Sequence, residues 1–400
     1  MPSTARPDLP PFLQHGFRPF FFLGALWAAL ALFLWLGVLA GALSLPTGMD
    51  ATAWHRHEML FGYLSAIIAA FLLTAIPNWT GRLPLRGAPL AGLVLLWALG
   101  RLAVLLSGWT GSWPALLLDV AFPATLAFVA AREIAAGRNL RNLPVVALVG
   151  LLALASLLSH LEAAPATGLE LPTEMLGDRL AVAVGAALVT LIGGRIVPSF
   201  TTNWLKARGA TALPAPFGAL DKAMMVLSGL ALLAWLAAPE SAAAGLLLLA
   251  AGLGTVVRLA RWRGAATVAE PLLLVLHLGY AWLALALAVM GLATLGAVPR
   301  SAGLHAMTAG AFGTMTLAVM TRAALGHTGR ALTADGWTVA IYALASLGAL
   351  ARLVAAGIPE AYLPILDLAG LAWGGAFLLY AIRYAPVLLG PRPSRPRQPA

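Results

Sequence analysis

The chain of 400 residues contains no cysteine, which removes disulfides, thiolate metal sites and cysteine nucleophiles together. Any metal must therefore be held by His, Met, Glu, Asp or Tyr. Charge is also scarce: 10% of residues are Asp, Glu, Lys or Arg, against about 25% in soluble domains. The alternation of polar and apolar residues that marks barrel strands is missing, so the backbone must be satisfied inside helices. The opening MPSTARPDLPPFLQHGFRPF has no basic region leading into an apolar core, so no cleavable signal peptide is expected.

What the chain has is apolar length. Hydrophobic residues make up 61% of it and the mean hydropathy is +0.89. About twelve runs approach the roughly 20 residues that cross a bilayer. They lie near 18–42, 57–77, 88–107, 112–131, 142–160, 178–197, 217–237, 241–258, 268–292, 302–322, 335–356 and 361–383. The expectation is an all-α polytopic membrane bundle. Residues 1–400 form one membrane domain, with 1–17 and 387–400 as cytoplasmic tails.

The net charge of +10 invites a nucleic-acid reading, but its distribution removes it. With the N-terminus inside, Arg82, Arg86, Arg132, Arg138, Arg141, Arg195, Lys206, Arg258, Arg322 and Arg330 fall on the inner side. The outer ends keep Arg56, Arg179 and Arg300, and their loops are mildly acidic through Asp50, Glu162, Glu170, Glu174, Glu240 and Glu360. This is the positive-inside pattern. It predicts a multi-pass protein of a bacterial inner membrane with both termini cytoplasmic and lipid as its main partner.

The stretch AWHRHEMLFGYLSAIIAAFLLTAIPNWTGR, residues 53–82, has a counterpart in LHAMTAGAFGTMTLAVMTRAALGHTGR, residues 304–330. H-x-M-x-x-G recurs as His57, Met59, Gly62 and as His305, Met307, Gly310. T-G-R recurs at Arg82 and Arg330, and both motifs are displaced by 305 − 57 = 248 residues. Asp119 and Asp367 keep that offset, and Gly24 and Trp27 echo Gly279 and Trp282. Helices 1–4 thus resemble helices 9–12, an internal four-helix repeat of the kind that often flanks a functional site. Arg101 and Asp119 flank an outer turn at equal depth, as do Arg352 and Asp367, and a structural ion pair is expected in each hairpin.

Two imidazoles at equal depth on repeat-related helices could face each other across a planar macrocycle, so His57 and His305 are candidate axial haem ligands. Gly62 and Gly310 would let backbone or a cofactor approach closely, and Glu58 could hold the free N–H of an imidazole. His55 lies about 200° round the helix from His57. With His277, in VLHLGYAW, it is a candidate for a second metal, and imidazole beside thioether suits copper. His15 and His160 read as solvated, and His327 as a brace for an inner loop.

The motifs HGFRPFFFLGALWA, WHRHEMLFGY, AIPNWTGR, GGRIVPSFTTNWL, HLGYAW and MTLAVMTRAALGHTGR together resemble the NnrS family across nearly the whole chain. The resemblance implies a polytopic protein containing haem and copper, associated with nitric oxide metabolism and protection from nitrosative stress. With no C-x-x-C-H, the haem would be of the b type. A second likeness, architectural only, is to subunit I of the haem–copper oxidases: twelve helices in three arcs, with low-spin haem ligands on helices 2 and 10. Helices 6 and 7 here carry no histidine, so the copper-ligand set of those oxidases is missing. Two functions stay open at this point: a haem protein that binds nitric oxide or exchanges electrons with a quinol or periplasmic donor, and a cofactor-free transporter.

Overall fold

In a computed structural model, which describes residues 9–163 and 175–393, long helices run through the chain and no strand occurs among the described residues. Glu170, Glu174 and the outermost parts of both expected tails lie outside the described residues. The helices are Phe17–Leu39 (α1), Ala51–Thr80 (α2), Ala88–Leu105 (α3), Ser112–Ala136 (α4) and Leu143–Ala163 (α5). Leu176–Lys206 (α6), Ala219–Ala237 (α7), Ala242–Ala260 (α8) and Pro271–Thr294 (α9) follow. The last three are 300–327 (α10), Gly336–Ala355 (α11) and Tyr362–Leu389 (α12). Among the described residues, eleven helices are long and apolar enough to cross a membrane. α10 completes the set of twelve; His305, Thr308, Thr314, Thr316, Thr321 and Arg322 dilute its apolar content.

Local chemistry sets the boundaries. Asp50 starts α2 earlier than hydropathy does, because its carboxylate accepts the N–H of Thr52 and Ala53, both at 2.9 Å. Pro271 opens α9, where its missing N–H costs nothing. Gly81 ends α2 at φ +70°, a left-handed conformation that suits glycine. Asp335 caps α11 through the Thr338 N–H at 2.8 Å and pairs with Arg383 at 2.6 Å. Burial alone would raise its pKa, but the two Thr338 hydrogen bonds and Arg383 prevail and hold the carboxyl at about 2. A carboxyl lowered on folding stabilises above its unfolded pKa, near 3.9, and loses that contribution as pH falls through about 2. Asp335→Ala should therefore melt below the wild type at neutral pH, with the gap closing as melting is repeated from about pH 4 towards pH 2.

Consecutive helices pack against one another, and α1 packs against α12, so the order of contacts closes on itself. α6 touches both α2 and α10, and the Tyr63 hydroxyl of α2 meets the Thr316 hydroxyl of α10, so these three helices stand together. Each of the three carries a π-helical segment: Glu58–Leu64, Val189–Gly193 and Ala306–Phe312. The first and last coincide at both ends under the 248-residue offset. Such segments insert a residue into the helical register and cluster at functional sites. His57 and His305 each immediately precede one.

Lipid is as apolar as leucine, so close packing rather than hydrophobicity joins these helices. A Cβ at Gly62 would meet the Trp27 indole at 2.6 Å, and one at Gly310 the Trp282 ring at 2.3 Å. The two glycines therefore admit an indole in each repeat. Trp97 then donates to Gly62 O at 2.9 Å, and Trp373 to Ala309 O at 3.0 Å. Gly310→Ala should overpack this contact and lower stability by about 1–3 kcal/mol. Gly326→Ala, whose added methyl would meet only Leu332 at 3.6 Å, should be neutral or stabilising in the same melting experiment.

Candidate metal centres

Here "outer" denotes the ends of α2 and α10 that carry their histidines, and "inner" the arginine-rich ends. On the outer part of α2, His57 is 1% exposed and turned towards α4 and α5. Its Nε2 lies 3.0 Å from Asp119 Oδ2. His160 Nε2 reaches the same oxygen at 3.0 Å, and the Ser156 hydroxyl donates to it at 2.8 Å. The two rings sit edge to face, 4.6 Å apart. One ligand atom from each of His57, Asp119 and His160 falls within 4.8 Å of the others, and all three residues are buried. The other nitrogen of His57 is 3.5 Å from the Ser159 hydroxyl, which donates to Asp178 at 3.0 Å. Asp178 is in turn held by Arg56 at 2.8 Å.

Arg101 anchors this cluster from α3. It pairs with Asp119, as expected, and also with Glu58 at 2.7 Å. Trp27 donates to the same Glu58 oxygen at 2.6 Å. Glu58 thus serves an indole and a guanidinium rather than an imidazole; the carboxylate on the imidazoles is Asp119. One cation among two carboxylates leaves this buried core a negative charge in excess when both imidazoles are neutral. Charges at such depth cost about 2.5–3.5 kcal/mol each on insertion scales, so a site of this sign and donor set fits a transition-metal cation.

The second constellation contains His305. Its Nδ1 donates to the Ser301 carbonyl at 2.7 Å, which fixes the proton there and leaves Nε2 as a free ligand atom. His55 stacks on Trp35 with ring centroids 4.1 Å apart, and its Nδ1 is buried without a protein partner. His55 and His305 lie within electrostatic range of one another and of Arg352. Arg352 is 7% exposed, and its Nε and Nη1 have no partner among the described residues. Two imidazoles with uncommitted nitrogens beside an unpaired guanidinium fit an iron porphyrin, which brings a metal for the first and carboxylates for the second.

The structure thus brings His55, not His57, within electrostatic range of His305; the charged neighbours of His57 are Asp119, Glu58, Arg101 and Asp178. Nor does it bring His55 to His277. α9 runs from the inner end, so His277 stands two turns from that end, bonded to the Thr201 hydroxyl at 2.9 Å. Arg352 and Asp367 form no ion pair: Asp367 is exposed, and Arg352 approaches the Tyr362 hydroxyl at 3.5 Å. The reason is register, since 352 − 101 = 251 whereas 367 − 119 = 248. That three-residue slip carries the arginine about 4.5 Å along its helix.

His160 reads as solvated in the sequence because the apolar run stops there. In fact α5 continues to Ala163, and His160 is 2% exposed. The signal was the spacing Ser156–His160, one turn apart on one helix face. A search of the curated proteins gives no match. The family model described as NnrS protein matches residues 11–392, nearly the whole chain. This polytopic helical membrane protein belongs to the NnrS family.

Proposed function

We propose that this chain carries a b-type haem and a copper-type ion near its outer membrane face and acts there on nitric oxide, by binding it or by electron transfer. Family membership supports the link to nitric oxide. The observation that carries the haem reading is the trio of His55, His305 and Arg352, whose free ring nitrogens and unpaired guanidinium call for one metal-bearing carboxylate ligand. His55 and His305 would hold the iron, and Arg352 a propionate. His57, Asp119 and His160 would hold the second metal. A haem and a copper ion supply one-electron chemistry when bound.

The protein's own part is orientation and charge. The Ser301 carbonyl keeps His305 in one tautomer, and Ser159, itself bonded to Asp178, does so more loosely for His57. Arg101 splits its charge between Asp119 and Glu58, so neither carboxylate is left bare in the membrane. Trp35 covers one face of His55 and restricts its rotation. Nitric oxide is small and apolar and enters through lipid, so no polar channel is needed. The outer position suits exchange of electrons with a quinol or a periplasmic donor.

An absorption spectrum of the purified protein, with and without dithionite, tests this reading together with metal analysis. A Soret band that shifts on reduction, with about one iron and one copper per chain, is the expected result. A colourless, metal-free but folded protein would overturn it in favour of the transporter reading.

A further inference from the structure

The inner ends of the three central helices carry related arginines with different fates. Arg82, after α2, pairs with Glu133 of α4. Arg195, on α6, donates to the Asn142 side chain at 3.0 Å. Among the described residues, Arg330, after α10, has only the Pro391 carbonyl at 3.5 Å for Nη2, and its Nη1 is buried without a partner. The 248-residue offset explains why. The equivalent of Glu133 is position 381, and the residue there is Ala381.

Where that carboxylate is missing, further cations gather. Arg18, on α1, is fully buried; its Nη1 donates to Leu388 O at 2.9 Å and to Gly390 O at 2.7 Å. Its Nε and Nη2 have no partner among the described residues. Arg330 and Arg392 lie within electrostatic range of Arg18, and Arg86, Arg392 and His327 within that of His15. Arg392 donates to His15 Nε2 at 3.1 Å. Burial first, then Arg392 and Arg18, hold the His15 imidazole down at about 4, so at neutral pH it accepts that bond uncharged. No carboxylate of the described residues enters this group. A fully buried guanidinium with two nitrogens unpaired, beside further cations, is costly without an anion to meet it.

We propose that the inner ends of α1, α10 and α12 form a binding site for a phosphate-type anion, with Arg18 at its floor and Arg330, Arg392 and Arg86 at its mouth. Guanidinium forks match phosphate oxygens in pairs, and the N-terminus of α1 adds its positive dipole end. The position, level with the inner headgroups, admits an anionic phospholipid or free phosphate.

Thermal melting of the full-length protein, stripped of lipid in a zwitterionic detergent, distinguishes the two. One arm titrates inorganic phosphate. The other compares nanodiscs of phosphatidylcholine with nanodiscs that also contain phosphatidylglycerol. A saturable rise in Tm with phosphate assigns a free anion; a rise with phosphatidylglycerol alone assigns a headgroup; a rise with both assigns the phosphate group itself. Arg330→Gln should raise the half-saturating concentration roughly tenfold, the loss of about one charge-assisted hydrogen bond. Arg82→Gln, which removes an arginine already paired with Glu133, should leave the response unchanged. Arg18→Gln also uncaps α12, so Arg330→Gln and Arg392→Gln, at more exposed positions, carry the test. No response in either arm, or a response unaltered in both of those variants, overturns the proposal.

Discussion

His305→Ala is expected to remove the haem absorbance of the purified protein, whereas His57→Ala leaves it in place. His305 offers Nε2 because its other nitrogen is committed to the Ser301 carbonyl, and removing the ring takes away the atom proposed to hold the iron. His55→Ala should match His305→Ala. Arg352→Gln keeps both imidazoles but loses the carboxylate partner, so it should retain haem with roughly tenfold or greater loss of affinity. Pyridine haemochrome assay of each variant, normalised to folded protein, is the measurement. If His57→Ala loses haem while His55→Ala keeps it, iron lies between His57 and His305 after all, and the grouping given above is mistaken.

Asp119→Ala should be the most damaging single change in the outer half of the protein. Asp119 is 1% exposed and receives Arg101, His57, His160 and Ser156 at once. Removing one partner of a buried pair costs about 3–5 kcal/mol. Retention of the Arg101–Glu58 contact places this case at the lower end of that range. The fall should appear in thermal melting together with loss of the second metal by elemental analysis. Asp119→Asn retains acceptor capacity and most of the packing, so it should keep the fold better than it keeps the metal. Asp367→Ala is the control: the repeat-related carboxylate is exposed and unpaired, and its removal should change stability by no more than about 0.5 kcal/mol. Haem should survive in His160→Ala, which separates the two centres.

Much of this was legible in the chain. Hydropathy gave twelve spans because lipid demands unbroken apolar length, and it failed at their ends, where capping by Asp50 and continuation of α5 past His160 are not apolar signals. The Arg101–Asp119 pair was readable because an ion inside a membrane needs a partner at its own depth. Pairing of Arg352 with Asp367 failed on the three-residue slip, which matters on a helix with 3.6 residues per turn. The glycines were rightly marked as places of close approach, yet what approaches is an indole supplied by the neighbouring helix.

The sequence by itself determined a membrane bundle and its repeat. Apolar length, local motifs and a fixed offset are all properties of one dimension. Which histidines come near one another was decided only by helix packing. Repeat-related residues take their directions from the helices packed around each of them, and those differ between the two repeats. His57 accordingly turns to α4 and α5, while His305, its counterpart by sequence, lies within electrostatic range of His55 instead. Depth along a helix follows from counting residues, but direction around it depends on what packs there. The partners His57 found, Asp119 and His160, lie 62 and 103 residues away along the chain (119 − 57 and 160 − 57), and only packing brings them together.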